Sequence, residues 1–354
     1  MRNLQVKAMA ENLLTERQKS ILEAVVLDFV KSAKPVGSRQ ISKNYPLEVS
    51  SATIRNTMAD LEDMGYLTHP HTSAGRLPSD KGYRLYVDTL MQYSTLSPEE
   101  RKAILLQVDP DAQDIQEILK QTSHVLGQLS DELGIVLAPK FYRGALEKLE
   151  LVELSSDNLL VVIHIKSGII KTVVIEVTHQ IPRDRMDDVA RILNERLAGL
   201  TLKEVKQTID KRLRDIQEDG DEIIDILVDK ADMVFNFADR VDVHISGAKN
   251  ILRQPEMQDP EKITRFMDLV EQNELLLHIF DDTDEWEDEL NITIGSEHKR
   301  AEISEYSVVA STYRYGELRG TLAILGPTRM PYHKVASLVQ LTADIISDKL
   351  DQRR

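Results

Sequence analysis

The stretch SSATIRNTMADLEDMG, residues 50–65, decides the fold of the N-terminal part of this chain. Ile54, Met58 and Leu61 recur at the three- and four-residue spacing of one helix face. A serine at position 50 or 51 is a good cap for the start of such a helix, and Gly65 stands where a glycine commonly ends one. The stretch therefore predicts a short amphipathic helix with one buried face.

The charges of this helix run against its dipole. Arg55 lies near the positive N-terminal end, whereas Asp60, Glu62 and Asp63 lie near the negative C-terminal end. A DNA duplex against the first turns would make this order favourable, because arginine can pair with guanine and Asn56 with adenine in the major groove. The late acids would then point away from the duplex. The alternative is a solvated helix whose serine is only a cap and whose arginine only adds solubility.

The residues before this helix predict two more helices. Thr15 and Gln18 can form a capping box, and apolar residues follow at helical spacing as far as Val30. The sequence KPVGS interrupts this helix, and Ser38 can cap a second one. The second helix ends at YPL, residues 45–47, because a residue before proline avoids helical backbone. Three short helices, the last two joined by a tight turn, are typical of a helix-turn-helix.

The segment YLTHPHTSAGRLPSDKGYR, residues 66–84, predicts a wing. It has the pattern of a strand, a loop of small polar residues, and a second strand begun by Arg76-Leu77. A fourth helix is predicted to start near Ser79. Together these elements predict a winged helix-turn-helix DNA-binding domain over residues 1–95. The expected DNA contacts are Ser38, Arg39, Ser50, Ser51, Thr53, Arg55, Asn56, His71, Thr72, Ser73 and Arg76.

The distribution of charge sets this first domain apart. The chain of 354 residues has a net charge of -15, yet residues 1–95 contain 12 Lys/Arg and 10 Asp/Glu and so carry +2, leaving -17 on the remainder. A polyanion would attract the first part and repel the second, which favours one docking orientation. The alternative for the acidic part is that its charge only keeps the protein soluble.

The composition indicates a protein of the reducing cytoplasm. The absence of cysteine excludes disulfides and thiolate zinc sites. No apolar run approaches the roughly 18 residues of a membrane span, and the first residues, MRNLQVKAMAENLL, lack the apolar core of a signal peptide. We therefore expect a cytoplasmic protein with no membrane partner.

Residues 96–354 predict an α+β fold in which a sheet domain is interrupted by helices. KLELVEL, NLLVVIHI and GIIKTVVIEV, within residues 148–177, have the composition of strands. Residues 184–238 switch to helical periodicity, and Thr201 with Glu204 offers a capping box. The helices' apolar stripes either serve a partner or pack on their own domain. Strands resume at VDVHIS, LLLHIF, NITIG, YSVVAST and GTLAIL, before a closing helix from about 332 to 350.

No residue pattern in the chain indicates an enzyme. His69 and His71 lack the nearby carboxylates or cysteines of a zinc site. The acidic stretch DDTDEWEDEL, residues 281–290, lacks the glycine and the spacing of an EF-hand loop, which favours a solvated loop. The sequence contains neither a G-x-S-x-G motif nor a Walker-type phosphate loop. We expect no catalytic residues, no metal and no cofactor.

Several of these motifs resemble those of the heat-inducible transcription repressors HrcA. PVGSRQIS (35–42), SSATIRNTMADLEDMGYL (50–67) and PHTSAGRLPSDKGYRLYVD (70–88) resemble the family's winged-helix domain. NITIGSE (291–297) and LGPTRMPY (325–332) resemble its C-terminal signatures. The resemblance implies a repressor of heat-shock operons that binds an inverted-repeat operator, CIRCE, as a dimer. It also implies that the chaperonin GroEL helps to maintain the active repressor.

The resemblance also implies a division into domains. After the winged helix-turn-helix, a GAF-like domain in two parts, residues 96–182 and 241–354, holds an inserted, mainly helical dimerising domain at 183–240. The expected dimer contacts are Val205, Ile209, Leu213 and Ile216. Recognition itself also requires two copies, since one short helix reads few base pairs and symmetric operators match two-fold dimers.

Two alternatives remain open. A GAF-like body can bind a small molecule, so the chain could be a metabolite-sensing repressor of another operon, and a hydrophobic pocket with a few polar groups would favour this function. The chain could instead be a chaperone-associated interaction protein whose helical module does not read sequence. A preference of about a thousandfold for an operator over random DNA would exclude that second alternative.

Overall fold

The structure is a computed structural model that describes most of the chain. The described residues are 14–70, 75–108, 115–166, 168–178, 181–217, 222–235, 242–272, 276–277, 279–280 and 290–351, and of residues 216, 217 and 222 only the backbone is described. They divide into two compact units. The first comprises Met1–Val136, Val243–Thr312 and Thr321–Ile345, and the second comprises Leu137–Asp242, Tyr313–Gly320 and Ile346–Arg354.

Helices and strands are mixed along the described chain, as the predicted α+β class requires. The helices are α1 Glu16–Ser32, α2 Ser38–Asn44, α3 Ser51–Asp63, α4 Asp80–Leu85, α5 Pro98–Gln107, α6 Ile115–Ser130, α7 Arg183–Leu197, α8 Leu202–Gln217, α9 Glu222–Asp229, α10 Ala231–Val234, α11 Ala248–Leu252, α12 Pro260–Glu271 and α13 Tyr332–Asp351. The strands are β1 Leu67–Thr68, β2 Leu77–Pro78, β3 Leu133–Leu137, β4 Leu146–Ser155, β5 Asn158–Ile165, β6 Ile170–Glu176, β7 Val243–Ser246, β8 Leu290–Ile294, β9 Tyr306–Tyr315 and β10 Leu318–Pro327. No helix in the described ranges is both long and apolar enough to cross a membrane.

The first unit begins with α1–α4, β1 and β2, which we call the head. α1 starts with the predicted capping box between Thr15 and Gln18. β1 and β2 pair antiparallel, with Leu67 opposite Pro78. α4 continues as a π-helical turn over Tyr86–Leu90. Side chains buried in the head include Ile21, Leu22, Val25, Ile41, Ile54, Leu61 and Tyr83.

The rest of the first unit is a five-stranded sheet with α5, α6, α11, α12 and α13, which we call the sheet domain. The strand order is β7-β3-β10-β9-β8. β8 and β9 pair antiparallel, with Ile292 opposite Val309. Nearly every residue of β3, β9 and β10 is buried, so these central strands are covered on both faces.

The second unit is a three-stranded antiparallel sheet, order β4-β5-β6, covered on one face by α7–α10. Along β5, Leu159, Val161 and Ile163 are buried and alternate with half-buried residues, as expected when one face of a sheet meets the core. Asn194 of α7 holds the edge strand β4, because its side chain accepts the Leu149 N–H at 2.7 Å and donates to the Leu149 carbonyl at 2.8 Å.

The helices of the second unit follow their predicted periodicity, but the unit itself is larger than the helical block. The capping box of Thr201 and Glu204 is present at the start of α8. The unit begins at Leu137, ahead of the inserted domain expected at 183–240, because the inward face of β4–β6 packs on these helices.

Two local predictions are wrong. Ser38 does not cap α2; Gly37 occupies the cap position, its carbonyl accepts the N–H groups of Gln40 and Ile41, and Ser38 is the first helical residue. LLLHIF is not a strand, since its described residues 276, 277 and 279 are helical. The buried residues Leu276 and Phe280 are four positions apart, which is the spacing of a helix face.

Candidate nucleic-acid interface

The first turns of α3 present a small polar surface. Ser50 caps the helix, because its Oγ accepts the Thr53 N–H at 3.1 Å. Ile54 is fully buried, whereas Arg55 and Asn56 are exposed. The face that the sequence assigned to a partner is therefore the exposed face of the helix. Ala52, between the cap and this face, is also exposed and adds no bulk.

The C-terminal end of α3 obtains its cation from another helix. α3 has no basic residue in its last turn. Lys81 of α4 supplies the charge, because its Nζ donates to the Met64 carbonyl at 2.8 Å and lies 4.4 Å from the centroid of the Tyr66 ring. The Ser79 hydroxyl donates to the Gly65 carbonyl at 2.7 Å. The reversed charges of the sequence are thus compensated by neighbouring residues.

One of the late acids of α3 holds the two-stranded pair. The Glu62 carboxylate forms an ion pair with Arg76, whose Nε lies 2.7 Å from Glu62 Oε2, and it also hydrogen-bonds His69 Nδ1. Asp60 and Asp63 are exposed. Arg76, which the sequence predicts as a DNA contact, is therefore tied to α3, and one quarter of its side chain remains exposed.

A backbone bridge joins the second strand to the segment between α1 and α2. Val36 and Arg76 exchange two N–H···O bonds of 2.9 Å. The strand can approach this closely only because residue 75 is glycine, since a Cβ atom there would lie 2.5 Å from the Val36 carbonyl oxygen. The bridge fixes the base of the predicted wing. His71, Thr72 and Ser73, predicted DNA contacts of its tip, lie outside the described residues.

A buried carboxylate sets α2 against α1. Asp28 of α1 is 5% exposed, and it accepts hydrogen bonds from Gln40 and, at 3.1 Å, from Asn44 of α2. At the start of α2, Arg39 is exposed and Ser38 is half-buried. Asp28 was not among the predicted site residues, although an aspartate inside the apolar stripe of α1 indicates that a polar partner is needed.

The residues expected to form a dimer are buried inside the second unit. Val205 and Leu213 are fully buried and Ile209 is 2% exposed in the core between α7–α10 and the sheet. The side chain of Ile216 is not described. These three side chains thus pack on their own unit, which is the alternative that the sequence left open. As placed, these side chains offer no surface to a second chain.

Apart from Met233 of α10, the exposed large apolar side chains described in the second unit lie instead on the face of β4–β6 opposite the helices, which we call the open sheet face. Val152, Leu160 and Val174 stand directly opposite one another across the three strands. Val152 is 42% exposed, Val174 is 50% exposed, and Ile170 is 59% exposed. Leu154, two residues beyond Val152 along β4, is 54% exposed. The signal in the sequence was Leu151-Val152, where the alternation of apolar and charged residues in β4 breaks and an apolar side chain falls on the free face.

Comparison with known proteins places the chain in a family. Residues 116–336 match the family model described as "HrcA protein C terminal domain". The chain is 38% identical over 349 residues to the "Heat-inducible transcription repressor HrcA" of Chlorobium phaeobacteroides (strain BS1), covering 95% of this chain and 98% of that protein. It is 36% identical over 341 residues to the protein of the same name from Syntrophobacter fumaroxidans, covering 96% and 98%.

A solved structure shares the fold. The chain titled "Crystal structure of a hypothetical protein at 2.2 A resolution" superposes with a TM-score of 0.63 at 22% identity, over 96% of this chain and all of that one. The relatives define the class of this protein, a transcriptional repressor of the heat-shock response. The chain belongs to the HrcA family of heat-inducible transcription repressors.

Proposed function

We propose that the head is a winged helix-turn-helix whose α3 enters the major groove of operator DNA. The observation that carries the proposal is the exposed face of α3, where Arg55 and Asn56 project beside the small Ala52. Arginine and asparagine are the side chains that read guanine and adenine by paired hydrogen bonds. Ser50, Ser51, Thr53 and the amides of the first turn hold the flanking phosphates, as do Ser38 and Arg39 at the start of α2.

The operator is an inverted repeat, CIRCE, and the repressor reads it as a homodimer. A single head with a charge of +2 gains little affinity from its attraction to the phosphates. High affinity for the operator therefore requires the contacts of two copies. The open sheet face supports this dimer. The free face of an antiparallel sheet is usually polar, and a row of half-exposed valine, leucine and isoleucine is typical of an interface. We assign the dimer contact to this face of the inserted unit.

The chaperonin GroEL maintains the active repressor, and the controlled operons encode chaperonins. The family membership supports this part of the proposal. Unfolded proteins that occupy GroEL would relieve repression under heat stress. The protein acts in the cytoplasm, where its operator and the chaperonin are both present, and its role requires no catalytic step.

The alternative of a metabolite sensor finds less support. The sheet domain has an open groove of 460 Å³, to which α5, α6 and β7 contribute. Seven of its eight lining residues are polar or charged, with Glu117, Lys120 and His124 among them. An apolar pocket with a few converging polar groups would be typical of a small-molecule site. The structure therefore supports the function of a heat-shock repressor better than that of a metabolite sensor.

A binding titration tests the proposal. Purified protein is titrated with a duplex that carries the CIRCE inverted repeat and with a scrambled duplex, at one fixed salt concentration, with and without GroEL. We expect a preference of about a thousandfold or more for the repeat, which GroEL increases. Equal affinity for both duplexes would contradict operator recognition, and a preference that GroEL leaves unchanged would contradict the chaperonin's role.

A further inference from the structure

Two motifs near the C-terminus, NITIGSE (291–297) and LGPTRMPY (325–332), have no part in the proposed DNA contact, yet both lie against helices of the head. We propose that Arg84 with the first motif and Arg329 of the second are positioning residues that fix the orientation of α3 on the sheet domain and so select one operator spacing. This inference rests on the proposed function, since spacing matters only to a dimer that reads an inverted repeat.

The first anchor is centred on Arg84 of α4. Its Nε donates to Glu297 Oε1 at 2.7 Å, and its Nη2 donates to the other oxygen of the same carboxylate. Nη2 also donates to the Ile292 carbonyl of β8 at 2.6 Å, while Nη1 donates to Asp88 at 3.1 Å. A two-point contact between guanidinium and carboxylate fixes direction as well as distance. The anchor therefore restrains rotation of α4 against the sheet domain.

Asp80, at the start of α4, adds a second contact to the same motif. Its Oδ2 accepts the Ser296 N–H at 2.8 Å. The close approach needs glycine at residue 295, because a Cβ atom there would lie 2.5 Å from Asp80 Oδ2 and the residue has a φ of +51°. The backbone of NITIGSE is thus shaped to receive the N-terminal turn of α4.

The second anchor is centred on Arg329 and holds α1. Its Nη1 donates to the Val30 carbonyl at 2.8 Å, in the last turn of α1, where carbonyls lack helical partners and a cation is favourable. Its Nε donates to Glu256 Oε1 and its Nη2 to Gln254 Oε1, both at 2.7 Å. Only 12% of the Arg329 side chain is exposed. The C-terminal end of α1 is thus hydrogen-bonded to the sheet domain through a largely buried polar network.

The two anchors hold different helices of the head, and together they restrain its rotation against the sheet domain. One attachment would leave the head free to turn about it, whereas attachments at the end of α1 and along α4 oppose such a rotation. The rings of Tyr83 and Tyr332, 5.7 Å apart between centroids, pack in the same contact. Exposed ion pairs contribute little, but these pairs are shielded and directional. The orientation of α3 in each copy is therefore set by the sheet domain.

Operators with altered spacers test the inference. The wild type, the double variant Arg84→Met/Arg329→Met and the control Arg265→Met are titrated with inverted repeats that differ only in spacer length. Arg265 belongs to the sheet domain, is 59% exposed and forms a loose ion pair with Glu305, 3.8 Å away. We expect the wild type and the control to lose at least about tenfold in affinity when the spacer changes by about 5 base pairs, half a turn of DNA. We expect the double variant to differ by less than about threefold between spacers.

A distance measurement separates orientation from general damage. The chain has no cysteine, so Lys43→Cys in α2 and Asp268→Cys in α12, both exposed, can carry spin labels without background. Labelled chain is diluted with unlabelled chain, and the label-to-label distance is measured by double electron-electron resonance. We expect one narrow distance distribution in the wild type and in Arg265→Met. We expect a broad distribution in the double variant, which retains its helical circular dichroism.

The outcomes are distinguishable. A double variant that keeps both the narrow distance and the strict spacing preference would overturn the anchor, and so would a double variant that binds the native operator more tightly, because the anchors would then hold an inactive arrangement. A wild type with no preference for any inverted repeat would contradict the proposed function itself, independently of the anchors.

Discussion

Two exposed surfaces of the chain, the first turns of α3 and the open sheet face, are built from opposite kinds of side chain. The surface of α3 is polar, and backbone groups at both ends of the helix have hydrogen-bond partners. Ser50 accepts a backbone N–H at the N-terminal end, and Lys81 of α4 donates to a backbone carbonyl at the C-terminal end. The open sheet face carries apolar side chains such as Val152 and Val174, whose exposure to water is unfavourable. A polar surface of this kind suits a hydrated duplex, and the apolar one suits a second copy.

The difference also shows how a buried stripe is distinguished from an interface. The apolar stripe of α8 and the apolar row of β4–β6 have similar composition, but Leu213 is fully buried whereas Val174 is half exposed. The helices close the core of the second unit, and the strands leave one face uncovered.

The largest effect is expected for Leu213→Asp. A carboxylate at this fully buried position would lie among apolar core side chains, so we expect a loss of about 4 kcal/mol or more in the free energy of unfolding. Urea unfolding followed by circular dichroism measures this loss. A variant that remains as stable as the wild type would show that the side chain is not in the core.

A smaller effect, confined to association, is expected for Val174→Asp. The position is half exposed, so the monomer should fold with wild-type stability, but two-fold symmetry brings the new charge into the interface twice. We expect the dimer dissociation constant to rise about a hundredfold in sedimentation experiments. Met233→Asp is the matched control, since Met233 is 48% exposed and belongs to the helical layer of the unit, in α10, and not to the open sheet face. Equal losses for both variants would remove the open sheet face from the dimer.

A buried carboxyl in the sheet domain makes the stability of the protein depend on pH. Glu132 is 3% exposed and its Oε2 has no hydrogen-bond partner among the described residues. Burial raises the pKa of Glu132 from 4.5 to about 8, although the charge of Arg329 opposes the shift. Between these pH values the unfolded chain has released the proton and the folded chain still holds it. The wild type therefore loses stability as pH rises from about 4.5 to about 8.

The variant Glu132→Gln removes this dependence. Relative to the wild type, its free energy of unfolding should grow between pH 5 and pH 8 by on the order of 3 kcal/mol, since each pKa unit corresponds to about 1.4 kcal/mol. Thermal or urea unfolding at the two pH values measures the change. The same difference at pH 5 and pH 8 would mean that Glu132 titrates normally.

The smallest effect is expected at the cap of α3. Ser50→Ala should lower the free energy of unfolding by about 1 kcal/mol, because the Thr53 N–H loses its acceptor. Ser51→Ala, one residue into the helix, is the matched control and should be nearly neutral. A larger loss for Ser51→Ala would place the start of the helix one residue later.

The parts of the fold that could be predicted are those encoded by neighbouring residues. The capping boxes at Thr15 and Thr201 and the cap at Ser50 depend on residues three positions apart, and all are present. The α+β class follows from the switch between strand and helix periodicity. LLLHIF was misassigned because a short apolar run fits both periods, and only the burial of Leu276 with Phe280 shows which applies.

The parts that could not be predicted depend on contacts between distant residues. Arg84 meets Glu297, 213 positions away, and neither residue carries a local sign of the other. The pair of Glu62 with Arg76 was also not predicted, since Arg76 was expected to contact DNA and Glu62 only to point away from the duplex. The burial of the expected dimer contacts inside the second unit was not predicted either, because a stripe of apolar residues does not show which side of it is already covered.

The most direct test of base reading by α3 is a double-mutant cycle between Arg55 and the operator. Each base pair of one half-site is replaced in turn, and the affinities of the wild type and of Arg55→Ala are measured at one salt concentration. We expect one guanine whose replacement costs the wild type about 1 to 3 kcal/mol and costs Arg55→Ala almost nothing. If Arg55→Ala weakens binding equally at every position and on random DNA, Arg55 contacts only phosphate and α3 does not read sequence through it.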